Sequence, residues 1–81
     1  MGRKALKSTE IEIDGQRYPV HYFEHQTVRG GRRFSCEVML DGSDRIIVDD
    51  DSLASLESKV ARLVPATVYS RLLANGASFA A

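Results

Sequence analysis

The residues of this chain that could bind a partner most directly lie in Arg29-Gly30-Gly31-Arg32-Arg33. Guanidinium groups around a flexible glycine pair can hold phosphates, because each carries a fixed positive charge and several hydrogen-bond donors. Two lysines near the N-terminus would add positive charge. The alternative is a solvated turn whose charges keep the sheet from pairing with other chains. The residues predicted to bind nucleic acid are Arg29, Arg32, Arg33, Lys4 and Lys7.

Two histidines and one cysteine form the second group with possible chemistry. His21 and His25 are four residues apart on a predicted strand, about 13 Å at about 3.3 Å per residue, which is too far to ligate one metal ion. His25 and Cys36 are predicted to be cross-strand neighbours, which could share a metal or form a nucleophile pair. A packed or half-exposed histidine beside a buried thiol is the simpler interpretation. We therefore predict no catalytic residue, no metal, no cofactor and no small-molecule substrate.

Alternating residues and turn signals predict the elements that position these side chains. Four strands are expected, at residues 10–13, 18–28, 34–40 and 45–48. Asp14-Gly15 between alternating segments is typical of a type I′ hairpin turn, which needs positive φ at both central residues. The predicted fold class is α+β, a four-stranded antiparallel meander followed by a C-terminal helix.

The helix is predicted to begin after an acidic run, Asp49-Asp50-Asp51-Ser52. Asp51 or Ser52 can cap the first N–H groups, and the acids suit the positive end of the helix dipole. The run could also bind a hard cation, but it lacks the spaced ligands of a calcium loop. Pro65 lacks an N–H, so the helix is predicted to be broken or kinked there. The predicted organisation is a flexible basic tail at 1–8, one domain at 9–75 and a flexible tail at 76–81.

Two-residue loops at 14–15, 30–31 and 42–43 predict a register in which both faces of the sheet are apolar. A single helical segment cannot cover two faces, so the uncovered apolar face should meet a second subunit or a ligand, or the segment after Pro65 should fold over it. A homodimer is the leading expectation. The first predicted face carries Phe23, Phe34, Cys36, Val38, Leu40 and Ile47, with His21 and His25. The second carries Ile11, Ile13, Tyr18, Val20, Tyr22, Met39, Ile46 and Val48. The residues predicted to form the interface are Ile11, Tyr18, Val20, Tyr22 and Met39.

The composition bounds the function without choosing it. Lys and Arg number 11, Asp and Glu also number 11, so the net charge is zero and no strongly anionic partner is demanded. No apolar run approaches the roughly 18 residues of a membrane span. A single cysteine excludes a disulfide within the chain, so a reducing, cytoplasmic setting is expected.

The order of four meandering strands and then a helix, over residues 10–64, resembles the whirly single-strand-binding domains, including the positive cofactor four type. That resemblance implies a dimer that binds single-stranded nucleic acid on its sheets. A second similarity, carried by the strand hairpin and Asp51-Ser52-Leu53-Ala54-Ser55-Leu56, is to small antitoxins. We predict a small non-catalytic binding module that contacts nucleic acid through the arginine-rich hairpin tip. The alternative is a protein-interaction or regulatory subunit that uses an apolar sheet face.

Overall fold

The computed structural model describes residues 3–76, without the side chains of Leu72, Asn75 and Gly76. In that range the chain forms four strands and one helix: β1 (Arg3–Ile13), β2 (Gln16–Gln26), β3 (Arg32–Met39), β4 (Arg45–Asp50) and α1 (Leu53–Gly76). The strands make one antiparallel sheet in the order β1-β2-β3-β4. The predicted α+β meander with a C-terminal helix is therefore confirmed, while the predicted tail after Gly76 lies outside the described residues.

The first hairpin has the predicted turn and register. Asp14 and Gly15 both adopt positive φ, 56° and 81°, as a type I′ turn requires. Ile13 pairs with Gln16, and Ile11 pairs with Tyr18. β1, however, begins at Arg3, so residues 3–8 belong to a strand and the tail predicted there is wrong. These residues alternate poorly by themselves, and their pairing with β2 makes them a strand.

The second hairpin has a longer loop than predicted. Thr27 N–H donates to Gly31 O at 2.8 Å and Gly30 N–H donates to Thr27 O at 3.0 Å, which leaves a three-residue loop, Val28-Arg29-Gly30. Gly30 alone of the glycine pair has positive φ, 83°. Gly31 N–H instead donates to the Thr27 hydroxyl at 2.9 Å. This is the three-residue hairpin in which a turn is followed by a left-handed residue, and it places Arg33 rather than Cys36 opposite His25.

The third hairpin also has a three-residue loop rather than the predicted two. Leu40 N–H donates to Asp44 O at 2.9 Å, which encloses Asp41-Gly42-Ser43. The Asp41 carboxylate accepts the N–H groups of Ser43 and Asp44, both at 3.0 Å. This side-chain capping takes Asp41 out of the ladder. Cys36 therefore lies opposite Val48, whereas the predicted register placed Glu37 opposite Val48.

Both corrections shift the pairing by an odd number of residues, and each such shift moves a strand's side chains to the other face. β3 is reversed relative to β2, and β4 is reversed relative to β3, so β4 keeps its predicted face relative to β2. The prediction therefore assigned only the side chains of β3 to the wrong face. The apolar side chains then gather on one face, which we name the helix face: Ile11, Ile13, Tyr18, Val20, Tyr22, Phe34, Cys36, Val38, Leu40, Ile46 and Val48. The other face, the open face, carries mainly polar side chains, so the predicted second apolar face is wrong.

α1 covers the helix face with a single apolar stripe. Ser52 caps it, since its hydroxyl accepts the Ser55 N–H at 3.1 Å. Full burial of a Leu or Val side chain stabilises a fold by about 1.5–3 kcal/mol, and one member of the stripe falls on each helical turn. The stripe consists of Leu56, Val60, Val64 and Val68, all 3% exposed or less. It packs mainly on β3 and β4.

Pro65 lies inside one continuous helix. The predicted break is therefore wrong, and a kink there is not confirmed. A proline in a helix interior costs about 3 kcal/mol because one hydrogen bond is lost and its ring crowds the preceding turn. Val64 and Val68, one turn apart on the buried side, are 0% and 3% exposed. Their burial offsets that cost only if the helix continues through the proline.

Candidate functional site

The hairpin tip presents one arginine freely and holds the other two in ion pairs. Val28 is fully exposed, and Arg29 beside it is exposed and makes no ion pair within residues 3–76. Arg33 contacts Asp49 at 3.1 Å and also pairs with Asp51. The hydrogen bond to Asp49 raises the pKa of Arg33.

Arg32, the third arginine of the tip, lies 3.5 Å from the Glu24 carboxylate, and its guanidinium is 5.9 Å from the centre of the Phe34 ring. Acidic neighbours thus offset the charge of both Arg32 and Arg33. These ion pairs weaken the attraction that an arginine cluster would otherwise exert on phosphate.

The N-terminal cations do not extend the hairpin tip into one basic strip. Lys7 lies on the helix face, where it pairs with Glu57 of α1 and stands 5.1 Å from the centre of the Tyr22 ring. Lys4 lies opposite Glu24 and is exposed. Arg32 also lies on the helix face, near Glu24, whereas Arg33 lies opposite His25 on the open face. The structure therefore does not gather the five predicted residues on one surface.

The open face carries a network of polar side chains centred on Glu37. Glu37 pairs with Arg3 and, at 3.8 Å, with Arg45, and it is 8% exposed. The hydrogen bond from Arg3 holds the pKa of Glu37 below its ordinary value. Arg3 also lies over Phe23, with its guanidinium carbon 3.8 Å from the ring centre. These contacts satisfy one another and bury Glu37 among its neighbours on the open face.

His25 and Cys36 lie on opposite faces of the sheet, so the cross-strand pair predicted from the sequence is wrong. His25 hydrogen-bonds to Ser35 at 2.7 Å on the open face, and His21 hydrogen-bonds to Ser8 at 2.9 Å on the same side. Cys36 is fully buried on the helix face, and burial raises the pKa of its thiol to about 11. A thiol in that position is a packing group, because nucleophilic attack needs an accessible thiolate.

The acidic run before α1 has structural partners. Asp50 accepts hydrogen bonds from Ser55 at 2.8 Å and from the Asp51 N–H at 2.6 Å, and it lies 3.2 Å from Lys59. The Ser55 bond is the main reason that the pKa of Asp50 is lowered. Within residues 3–76, no three His, Cys, Asp or Glu side chains come together as a metal site would require.

Four of the five residues predicted to form an interface lie on the helix face. Val20 and Tyr22 are 1% and 6% exposed in the chain's own core, and Ile11 and Tyr18 are half-buried against it. Burial also raises the pKa of Tyr22 to about 12. Met39 alone lies on the open face, where it is half-buried. Val20 and Tyr22 therefore have little surface left to offer a partner.

The outer edge of β4 is a candidate site that the sequence reasoning missed. Because Leu40 N–H bonds to Asp44 O, the alternation of an antiparallel ladder aims Ile46 and Val48 at β3. The N–H and C=O groups of Arg45, Ile47 and Asp49 consequently point away from the sheet. The bond from Lys59 Nζ to Asp49 O, 3.0 Å long, agrees with this direction. Ile47, at the centre of the edge, is 58% exposed.

In contrast, the other edge of the sheet, which β1 forms, is protected. β1 has a register irregularity between Ala5 and Lys7, and lysines occupy positions 4 and 7. Bulges and lysines are common devices against edge-to-edge pairing. β4 pairs with β3 without interruption. The signal in the sequence was the position of β4 as the last strand of a meander, together with the period-two pattern Arg45-x-Ile47-x-Asp49.

Comparison of the chain with protein-family models, with curated proteins and with solved structures finds no match. Over the described residues, α1 lacks the combination of length and apolar character that crossing a membrane would need. Function must therefore be argued from the surfaces themselves.

Proposed function

We propose that this chain is a non-catalytic protein-interaction module that binds an extended segment along the outer edge of β4. The observation that carries the proposal is the row of outward N–H and C=O groups at Arg45, Ile47 and Asp49. An extended segment added to a sheet edge gains main-chain hydrogen bonds, and its alternate side chains supply specificity. Ile47 offers an apolar contact at the centre, flanked by one cation and one anion.

The remaining surfaces favour this proposal over catalysis. The one thiol is buried with its pKa raised to about 11, and both histidines are hydrogen-bonded to serines on the open face. A reducing, cytoplasmic setting would suit the module, because its single cysteine cannot form a disulfide within the chain.

The test is an NMR titration of the labelled chain, at low micromolar concentration, with a panel of synthetic strand-forming peptides. We expect binding peptides to shift the amide signals of Arg45, Ile47 and Asp49 more than those of Ile46 and Val48, since only the former point outward. A matched peptide that is N-methylated at alternate residues should bind much more weakly, because its ladder donors are blocked. Shifts confined to other surfaces, or no binding by any peptide, would contradict the proposal.

A second candidate function is nucleic-acid binding by the hairpin tip, and one observation favours it. Arg29 and Lys4 lie at the same end of the sheet, both exposed and neither ion-paired within residues 3–76. Phosphate neutralised by such side chains releases counterions, so affinity should fall steeply as the salt concentration rises.

Fluorescence anisotropy with a labelled single-stranded oligonucleotide tests this second candidate. The triple variant Arg29→Ser, Arg32→Ser and Arg33→Ser should lose most of the affinity and flatten its salt dependence. Arg62→Ser, which changes an exposed arginine on α1, is the matched control and should bind as the unchanged chain does. Equal affinity for the triple variant and the control would exclude the tip as a nucleic-acid site.

A further inference from the structure

We propose that the segment bound at the β4 edge is β4 of a second copy of this chain, paired antiparallel with Ile47 opposite Ile47 of the second copy. The inference rests on the proposed function, and it adds a partner and a register to it. The resulting dimer would have twofold symmetry and one continuous eight-stranded sheet, since each copy contributes the four strands of its own meander.

The register follows from the hydrogen-bonding groups and the charges together. Only Arg45, Ile47 and Asp49 have outward groups, so each must face one of the same three residues in the copy. Placing Ile47 on the twofold axis puts Arg45 opposite Asp49 of the second copy, and Asp49 opposite its Arg45. All three side chains lie on the open face, where directly opposed unlike charges are favourable. Moving the register by two residues would set Ile47 opposite a charged residue and lose both pairs.

The groups that would meet across the axis are exposed, although two of them have partners in the single chain. Arg45 lies 3.8 Å from Glu37 and Asp49 lies 3.1 Å from Arg33, yet their side chains are 54% and 63% exposed, and Ile47 is 58% exposed. Lys59 donates to Asp49 O in the single chain, but a carbonyl oxygen has two lone pairs and can accept a second hydrogen bond from the copy.

The helix supplies a second apolar residue at the same axis. Leu63 is 40% exposed, and it lies one turn after Lys59, on the same side of α1. Lys59 contacts Asp49 and Asp50, so that side of α1 faces the β4 edge. Glu57 instead reaches Lys7 of β1, on the opposite side.

The level of Leu63 along β4 can be estimated from two contacts. Lys59 marks the Asp49 end of β4, and Arg71, which pairs with Asp44, marks the other end. The helix rises about 18 Å between Lys59 and Arg71, and β4 advances about 17 Å between Asp49 and Asp44. Because the two lengths agree, Leu63 lies level with Ile47 along β4 and close to the proposed axis, on the opposite side of the sheet from the Ile47 side chain.

The spacing of the two helices in such a dimer is also acceptable. α1 packs over β3 and β4, and neighbouring strands lie about 4.8 Å apart. A helix axis midway between those strands would lie about 4.8 Å from the twofold axis. The two copies of α1 would then be about 9.6 Å apart, within the 8–10 Å range of packed helices. Leu63 of each copy would fill the space between them, so strand and helix favour the same partner.

The first experiment is sedimentation equilibrium of the full chain from low micromolar to millimolar concentration. We expect a reversible dimer of twice the 9.0 kDa chain mass. Ile47→Lys should raise the dimer Kd at least about tenfold, because both copies carry the substitution and their two lysines would face each other across the axis. Its fold should survive, because Ile47 lies on an edge strand and is 58% exposed.

Tyr69→Lys is the matched control. Tyr69 is 59% exposed, close to the 58% of Ile47. Tyr69 follows Leu63 by six residues, which places the two side chains about 240° apart around the helix. The control should leave the dimer Kd unchanged. Equal weakening by both substitutions would overturn the proposed interface.

Cross-linking tests the register itself. Ile47→Cys should form a dimer-sized disulfide under oxidised glutathione, because opposed Cα atoms in such a pair lie about 5.5 Å apart, within disulfide reach. Glu12→Cys, on the exposed side of β1, should not. The chain could be a monomer at every concentration while its outward amides still respond to strand peptides. That result would overturn the proposed pairing with a second copy but leave the proposed function standing. A monomer whose amides respond to no peptide would contradict both.

Discussion

Leu56→Ala tests whether α1 is held to the sheet by its apolar stripe. Leu56 is 0% exposed and follows the N-cap of the helix by one turn. The substitution removes three carbon groups, which costs about 2.4 kcal/mol at about 0.8 kcal/mol per buried group. The cavity left behind adds to this, so we expect a loss of about 3–4 kcal/mol.

That loss is large for a chain of this size. At about 0.05–0.15 kcal/mol per residue, the free energy of unfolding should be about 4–12 kcal/mol. Urea unfolding followed by far-ultraviolet circular dichroism measures the difference, because the helix dominates the signal. The matched control is Leu73→Ala on the same helix, where the side chain is 60% exposed. We expect a loss of about 1 kcal/mol or less there.

Two results would refute the reasoning. Equal losses for Leu56→Ala and Leu73→Ala would mean that the stripe does not hold α1 to the sheet. A loss below about 1 kcal/mol for Leu56→Ala would mean that the side chain is not in a packed core.

Two further predictions concern pH. The hydrogen bond from Arg3 lowers the pKa of Glu37 below its ordinary value of 4.5, so its stabilisation is present above 4.5 and is lost as the pH falls through the folded pKa. The urea midpoint should therefore drop on acidification, and Glu37→Gln should reduce that drop; an identical acid dependence in both proteins would contradict the role of Glu37. At alkaline pH, burial raises the pKa of Cys36 from 9.0 to about 11, so stability should fall as the pH rises from 9.0 through about 11. Cys36 should react with a thiol reagent only at the rate of unfolding, and rapid modification of the folded chain at neutral pH would show that the thiol is accessible.

The elements that local signals specify were predictable from the sequence. Asp14-Gly15 can adopt the two positive φ angles of a type I′ turn, and the structure has both. Ser52 can satisfy an N–H at the start of a helix, and it does so at Ser55. The meander followed by a helix depends on signals of this kind, each confined to a few residues.

The loop lengths were less predictable, because they depend on side-chain hydrogen bonds that compete with the ladder. The Thr27 hydroxyl accepts the N–H of Gly31, and the Asp41 carboxylate accepts those of Ser43 and Asp44. Both loops have three residues where two were predicted. Reversing β3 removed the second apolar face, on which the dimer expected from the sequence had depended.

Long-range contacts account for the other differences. Residues 3–8 are mostly polar, yet Lys7 pairs with Glu57, fifty positions away, and Arg3 lies over Phe23. α1 continues through Pro65 because Val64 and Val68 are buried together. Neither outcome follows from local propensity, because both depend on the sheet already being present.

The sequence by itself determined the order of the elements, the first turn and the helix cap, because each depends on contacts within a few residues. The tertiary structure decided which face each strand presents, since a shift by one residue reverses a strand. It also decided which arginines are neutralised and which sheet edge is left unpaired. Such properties depend on residues brought together from distant parts of the chain. The candidate binding surface at β4 is therefore visible only in the folded protein.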